Sequence, residues 1–112
     1  MVGNVPAWLH ESAALEQRKH PRSRVLWMAT LDTQEGPLSC VVLDVSRAGA
    51  KLQFAAAILP VLVKQQVELV IEPLGSLGAE VIWQQGERMG IRFNANPALV
   101  ASVIGGALKL FQ

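Results

Sequence analysis

The sequence predicts a mainly β fold, a single six-stranded antiparallel β-barrel with a short N-terminal helix and arm and a C-terminal helix. Three observations predict it. The 112 residues fit one compact domain. Short stretches of alternating apolar and polar residues recur between turn residues, and helix signals are confined to the two ends. We therefore expect a single domain over residues 1–112, with an N-terminal helix and basic arm over 1–24, the barrel over 25–93 and the C-terminal helix over 96–112.

The N-terminal segment carries helix signals followed by a break. Residues 6–17 are rich in helix formers, and Pro6 is suited to the first turn of a helix. Pro21 lacks a backbone donor and disfavours helical backbone at His20. One short amphipathic helix is therefore expected over residues 6–17, followed by an irregular basic arm.

Six stretches have the composition of β-strands, because apolar residues alternate with polar ones and β-branched residues are frequent. The predicted strands cover residues 25–31, 39–45, 50–54, 66–72, 79–83 and 89–93. The predicted turns cover residues 33–37, 46–49, 75–78 and 85–87. Residues 55–64 are expected to form a loop, since Pro60 interrupts any longer helix. Closing the strands into a barrel would remove the sheet edges at which other chains can pair.

The last segment predicts a second helix. Asn96 is a suitable N-cap and Pro97 suits the first helical position, whereas Gly105 and Gly106 weaken the middle. Apolar residues cover more than one face, so a groove on the barrel or another subunit has to cover them. One predicted partner is therefore a second copy of the chain, bound through Val103, Ile104, Leu108 and Phe111.

The charge is distributed unevenly along the chain. The formal net charge is +1, and four of the 10 Lys and Arg residues belong to one short arm: Arg18, Lys19, Arg22 and Arg24. The rest of the sequence is mildly acidic. A basic patch on an acidic body indicates a site for one anionic ligand, because a nucleic-acid-binding protein would be expected to be basic over a wider surface.

The sequence offers little support for an enzyme. His10 and His20 are the only histidines, and no spacing of His, Cys, Asp or Glu indicates a catalytic or metal site. Cys40 lies in an apolar run and is expected to be a buried strand residue. We see no secretory-signal pattern and no apolar stretch long enough to span a bilayer, so the expected compartment is the cytoplasm.

The basic arm contains the first candidate binding motif. Arg18 and Arg22 stand four residues apart, directly before the first predicted strand. A guanidinium group can fork onto phosphate oxygens or onto the O6/N7 edge of guanine, and it can also stack on a flat base. A short basic tract taken alone is more often a solvated charged run.

The second candidate motif, Asp-x-Ser-x-x-Gly, occupies residues 44–49 where the second predicted strand ends. The carboxylate of Asp44 can accept hydrogen bonds from the N1–H and N2–H₂ groups of guanine. The hydroxyl of Ser46 can bond a base or a phosphate, and Gly49 can take a positive φ and lets a ligand approach the backbone closely. Taken alone, this pattern is more often an ordinary Asx-type turn.

The two motifs together resemble the signature of the PilZ domain family of bacterial cyclic di-GMP receptors. An Arg-x-x-x-Arg arm at residues 18–22 is followed about twenty residues later by Asp-x-Ser-x-x-Gly at 44–49, and each flanks a predicted strand. The segments Val-Ile-Trp at 81–83 and Met-Gly-Ile-Arg-Phe at 89–93 are similar to the closing strands of that family. The resemblance covers residues 17–93 and implies a PilZ-like split barrel.

The resemblance also implies a role for each motif residue. By the family pattern, Arg18 and Arg22 would hold phosphates and guanine faces. Asp44, Ser46 and Gly49 would recognise a guanine edge from the barrel surface. The implied protein is a non-enzymatic receptor whose ligand is cyclic di-GMP, with no catalytic residues, no other cofactor and no metal.

Three further residues of the arm are accessory candidates. Gln17 stands just before the arm motif, where the family varies, and leaves open whether one nucleotide or a stacked pair is bound. Lys19 and Arg24 would add electrostatic attraction. Folding of the arm over the ligand would pass the signal to an unidentified protein effector.

Two alternatives without catalysis stay open. One is a PilZ-like adaptor that binds protein and no nucleotide, although all five motif positions carry the expected residue type. The other is a nucleic-acid-binding barrel that uses the basic tract on phosphates and exposed aromatic residues on bases. With three Trp, three Phe and no Tyr, mostly assigned to the core, the second alternative has little surface on which bases could stack.

Overall fold

Residues 22–57 and 61–111 are described by the computed structural model of the chain. The predicted N-terminal helix lies outside these residues, and so do three of the predicted site residues: Gln17, Arg18 and Lys19. The basic arm is therefore represented by its last part, from Arg22 onward.

Within this part of the chain, six antiparallel strands close into a barrel, which confirms the predicted fold class. The strands are β1 (Ser23–Thr33), β2 (Gly36–Val45), β3 (Gly49–Gln53), β4 (Gln66–Ile71), β5 (Gly75–Gln85) and β6 (Arg88–Phe93). Their order around the barrel is β1-β2-β3-β6-β5-β4. Hairpins join most neighbours, whereas the pairing of β3 with β6 and of β1 with β4 joins distant parts of the chain.

The strand alternation seen in the sequence separates the barrel interior from its surface. Successive side chains of a strand point to opposite faces of the sheet. In β4, Val67, Leu69 and Ile71 are buried, whereas Gln66 and Glu68 are exposed. All six strands contribute buried residues to one common core, and removing apolar surface from water at about 25 cal/mol per Å² stabilises the closed barrel.

The turn predicted over residues 75–78 is wrong, because the chain turns earlier, at residues 72–74. Gly75 has a φ of +132° and leads directly into β5. Gly78 lies inside that strand, where a Cβ atom would come within 3.1 Å of the side chain of Asn94. Gly75 therefore lies where the turn ends, and Gly78 allows a close approach between β5 and Asn94. The two glycines do not belong to one turn.

The C-terminal helix, α1, spans Pro97–Leu110. Its N-cap is Asn96, whose side chain accepts a hydrogen bond from the backbone N–H of Ala98 at 2.8 Å, as the sequence predicts. One face of α1 packs on the barrel and buries Val100, Val103, Ile104 and Ala107.

The barrel covers two of the residues that the sequence assigned to a dimer contact. Val103 is 4% exposed and Ile104 is 5% exposed, and Leu108 is partly buried against the core. The prediction that Val103 and Ile104 contact a second subunit is therefore wrong, because the chain's own barrel covers that face of α1. A homodimer as such stays a prediction.

Candidate functional site

Three charged side chains line up across β1, β2 and β3 on the outer surface of the barrel. Arg24 pairs with Asp44 in the β1–β2 ladder, and Asp44 pairs with Lys51 in the β2–β3 ladder. Residues directly opposite each other in antiparallel strands share a face of the sheet. The neighbours of Lys51, Ala50 and Leu52, are in the core, so this row lies on the outside.

An irregularity in β2 determines how Asp44 is presented. The register between β2 and β3 shifts between Val42 and Asp44. Val42 and Val45 are in the core, and the two residues between them, Leu43 and Asp44, both stay partly exposed. A bulge re-aims side chains in this way because the extra residue interrupts the strict alternation of a strand. Asp44 therefore reaches the surface beside the apolar side chain of Leu43.

The carboxylate of Asp44 lies between two cations. Nη1 of Arg22 donates a hydrogen bond to Oδ1 of Asp44 at 2.6 Å, and Nζ of Lys51 lies 3.8 Å from Oδ2. The side chain of Asp44 is only 15% exposed, and that of Arg22 is 23% exposed. The structure thus brings together one guanidinium group of the arm motif and the carboxylate of the second motif. Their contact with a nucleotide stays a prediction.

Ser46 shapes the turn between β2 and β3. It is buried, and its Oγ accepts hydrogen bonds from the backbone N–H groups of Ala48, at 3.0 Å, and Gly49, at 3.3 Å. Its own N–H donates to the carbonyl of Gly49 at 2.9 Å. A Ser side chain that bonds the backbone two and three residues ahead stabilises a tight turn. A direct contact between Ser46 and a ligand stays a prediction.

Gly49 is required for a reason that the sequence does not show. Gly49 does not use the positive φ that glycine permits, since the described glycines with positive φ are Gly36, Gly75 and Gly86. Gly49 opens β3 in the pairing with β6, and a Cβ atom there would overlap the carbonyl oxygen of Ile91. Close approach of two backbones excludes any larger residue at this position.

The row of charged residues borders an open groove of about 630 Å³. Its polar side is formed by Arg24, Asp44 and Lys51, and its apolar side includes Leu26, Leu43, Trp27 and Phe111. The rings of Trp27 and Phe111 are in contact, with centroids 5.8 Å apart. Arg22 and Lys51 contact the carboxylate of Asp44, and Arg24 lines the same groove, so three cations accompany one carboxylate. The groove therefore suits a ligand that carries negative charge and also has flat or apolar parts.

Lys51 is a site residue that the sequence analysis missed. The alternation in β3 places it on the outer face, but its contact with Asp44 depends on the register between β2 and β3. A register drawn from the tight turn at residues 46–49 would have identified it.

Trp83 continues the same row beyond Lys51. Lys51 pairs with Gly90 in the β3–β6 ladder, and Gly90 pairs with Trp83 in the β5–β6 ladder. A Cβ atom at Gly90 would overlap the indole ring, so the absence of a side chain lets Trp83 lie across the backbone of β6. The indole ring of Trp83, a partly exposed residue, therefore lies over the residue that pairs with Lys51.

The other chemically active groups lie apart from this groove. Among the described residues, no three His, Cys, Asp or Glu side chains are grouped so that they could hold a metal ion. Cys40 is buried, as predicted, and its burial raises the pKa of the thiol to about 12. Residues 22–57 and 61–111 include no helix with the length and apolar character needed to cross a membrane.

Sequence comparison identifies one family. The family model described as the PilZ domain matches residues 16–105, which includes both motifs and all six strands. No curated protein has a significant match to the sequence.

Solved structures show the same fold. The PilZ domain of CeSA from a cellulose-synthesising bacterium is 20% identical and aligns with a TM-score of 0.63, over 81% of this chain and 98% of that one. The inhibitor of motility MotI/DgrA of Bacillus subtilis is 12% identical with a TM-score of 0.62, over 84% of this chain and 50% of that one. YcgR of Escherichia coli, solved in complex with c-di-GMP, is 16% identical with a TM-score of 0.59, over 84% of this chain and 46% of that one. The chain thus spans about half the length of the last two proteins.

Proposed function

Because the chain belongs to the PilZ domain family, whose model matches residues 16–105, we propose that it is a non-enzymatic receptor that binds cyclic di-GMP in the groove beside Asp44. The observation that carries the proposal is the convergence of Arg22, Asp44 and Lys51. Cyclic di-GMP has two phosphates and two guanines, so its recognition needs cations, a hydrogen-bond acceptor and flat surfaces. The groove offers all three.

Asp44 is the proposed guanine acceptor. A carboxylate has two oxygens with about four lone-pair sites, and the contacts with Arg22 and Lys51 use one direction on each oxygen. Asp44 can therefore accept from the N1–H and N2–H₂ donors of guanine and keep a cation beside it. A hydrogen bond to a carboxylate is charge-assisted and therefore stronger than one to a neutral acceptor.

The cations of the groove are the proposed phosphate ligands. Arg22, Arg24 and Lys51 against the single carboxylate of Asp44 leave a positive excess that matches an anionic nucleotide. Arg18 joins them by the family pattern, and Gln17 and Lys19 flank it in the arm.

Ser46 and Gly49 support the site through the shape of the turn. The hydrogen bonds to Ser46 Oγ close the turn directly after Asp44, and Gly49 lets β6 approach it. This arrangement holds the carboxylate where β2 ends. Direct reading of a guanine edge by Ser46 and Gly49 is a further part of the proposal that the family pattern supplies.

The proposed output is a change in the arm. Arg22 directly precedes β1, and its side chain contacts Asp44. A nucleotide that engages either residue therefore acts on the arm that precedes β1. Ordering of the arm would then signal to an unidentified protein effector. We place this activity in the bacterial cytoplasm, because the family consists of bacterial second-messenger receptors.

Calorimetric titration of cyclic di-GMP into the wild type and three variants tests the proposal. We expect Asp44→Asn and Arg22→Ala each to raise the Kd at least about tenfold, which corresponds to about 1.4 kcal/mol. Arg88→Ala is the matched control, since Arg88 is an exposed arginine on β6 that bonds Gln53 at 2.9 Å and does not line the groove. Its Kd should equal that of the wild type.

Two results would contradict the receptor proposal. One is the absence of binding heat from the folded wild type at about tens of micromolar nucleotide, which would favour the protein-binding adaptor. The other is an equal loss of affinity in Arg88→Ala and Arg22→Ala, which would show that the ligand responds to overall charge and has no defined site at Asp44.

A further inference from the structure

The outer face of β1 carries a contiguous apolar surface. Leu26 is 80% exposed and Met28 is 74% exposed, and they stand two residues apart on the face that points away from the core. Val41 pairs with Met28 on β2, and Leu43 borders the same groove as Leu26. Single exposed apolar residues are ordinary, whereas a contiguous group marks an interaction surface. We refer to Leu26, Met28, Val41 and Leu43 as the β1 patch.

Charges of opposite sign flank the β1 patch along the same strand. Arg24 precedes it and Asp32 follows it, and both are exposed. Asp32 lies directly opposite Glu68 of β4, and two like charges in that position destabilise a sheet unless a cation lies near them. The ion pairs formed by the described residues include none of these three side chains. Arg24 lies opposite Asp44, whose carboxylate already has Arg22 and Lys51 beside it, so one end of the strand has an excess of positive charge and the other end an acidic pair.

The order of side chains on this face is self-complementary. The outer row of β1 is Arg24, Leu26, Met28, Thr30 and Asp32. If a two-fold axis passes beside Met28, β1 of the second copy lies antiparallel to β1 of the first. Arg24 of each copy then lies against Asp32 of the other. A symmetric dimer interface requires such a pattern, because the same surface meets itself. Packed sheet faces lie about 10 Å apart with strand directions within about 30°, a spacing that Arg and Asp side chains bridge from the two sides.

We propose that a second copy of this chain packs on the outer face of β1 in a two-fold dimer. The two β1 patches are buried against each other, and Arg24 of each copy neutralises Asp32 and Glu68 of its partner. This interface uses the barrel wall, and it leaves α1 with the barrel contacts that already cover Val103 and Ile104.

Sedimentation of the nucleotide-free protein over a range of concentrations tests the apolar part of this interface. The wild type is expected to dimerise, and Met28→Asp to raise the dimer dissociation constant at least about tenfold. Leu110→Asp is the matched control, because Leu110 is a similarly exposed leucine, at 53%, on α1. It should leave the dissociation constant unchanged. Leu26→Asp repeats the test at a second position of the patch.

A charge exchange tests the symmetry. Arg24→Asp places a carboxylate against Asp32 at both contacts of the dimer, and Asp32→Arg places a guanidinium group against Arg24 at both. Each variant alone is therefore expected to have a dimer dissociation constant at least about tenfold higher than that of the wild type. In an equimolar mixture, the introduced aspartate faces the introduced arginine and the remaining contact is the native Arg24–Asp32 pair. The mixture is therefore expected to recover the wild-type dissociation constant as a heterodimer.

Four outcomes would overturn the proposed dimer. They are a wild type that stays monomeric at the highest concentration, a dimer that survives both Met28→Asp and Leu26→Asp, a dimer that Leu110→Asp abolishes, and charge variants that do not recover on mixing. Circular dichroism of each variant verifies the folded barrel. All of these measurements are made without nucleotide, because Arg24, Leu26 and Leu43 also line the groove proposed for cyclic di-GMP, and a partner subunit and the nucleotide would compete for this surface.

Discussion

Arg22 and Asp44 stand 22 residues apart in the sequence, and their side chains form an ion pair of 2.6 Å between Nη1 and Oδ1. The pair joins the entry into β1 to the end of β2 at the border of the groove. Because both side chains are partly withdrawn from water, the pair is stronger than one on an open surface. The same carboxylate also faces Lys51. Local stability and the proposed nucleotide site thus depend on one residue, Asp44.

Asp44→Asn is expected to lower the free energy of unfolding by about 1–2 kcal/mol. The amide keeps the size of the side chain but removes the negative charge that Arg22 and Lys51 face. Urea denaturation measures the change. Glu80→Gln is the control, since the partner Arg92 is 64% exposed and such pairs contribute about 0–1 kcal/mol. If both substitutions lowered the free energy of unfolding equally, the ion pairs of Asp44 would contribute no more to stability than an exposed surface pair.

Gly49→Ala is expected to destabilise the barrel by about 3 kcal/mol or more. The new Cβ atom would overlap the carbonyl oxygen of Ile91, and backbone cannot move there without breaking the β3–β6 ladder. Thermal or urea unfolding gives the loss. Gly78→Ala is matched to it, because its Cβ atom meets the side chain of Asn94 at 3.1 Å, which can rotate away. A Gly49→Ala protein as stable as Gly78→Ala would contradict the close approach.

The strands could be predicted from sequence because their alternation is a local property. Val67, Leu69 and Ile71 alternate with polar residues, and the same alternation separates core from surface in the barrel. The role of Gly78 could not be predicted in this way, since its close approach to Asn94 joins segments that are separate in the sequence.

The site could be predicted only where a local motif contains it. Arg22 and Asp44 were identified from their two motifs, but Lys51 joins them through strand register, and the bulge before Asp44 leaves no clear mark in the sequence. The surface that covers an apolar helix face also cannot be identified from local sequence. The apolar face of α1 predicted a partner surface, and the barrel of the same chain provides it for Val103 and Ile104.

Gly105→Ala is expected to stabilise the protein by about 0.5–1 kcal/mol. Gly105 lies inside α1, and a Cβ atom there meets nothing within 4 Å, so the substitution restricts the unfolded chain without a clash. Gly106→Ala should gain less, because its Cβ atom would lie 3.1 Å from Cδ2 of Leu74. Thermal denaturation of the two variants compares them directly. A Gly105→Ala protein that melts below the wild type would show that this face of α1 is covered.

The buried thiol of Cys40 predicts a loss of stability at alkaline pH. Burial raises its pKa from 9.0 to about 12 in the folded state, so between these values the folded protein keeps a proton that the unfolded chain releases. Since the unfolded state then binds fewer protons, the free energy of unfolding falls as the pH rises. Relative to Cys40→Ala, the wild type is expected to lose about 2 kcal/mol between about pH 8 and pH 11. Urea denaturation at both pH values measures the difference in the free energy of unfolding between the two proteins. The alanine variant contains a cavity at both pH values, so the contribution of that cavity cancels in the comparison. Parallel pH dependence of the two proteins would mean that the thiol is accessible to water in the folded barrel.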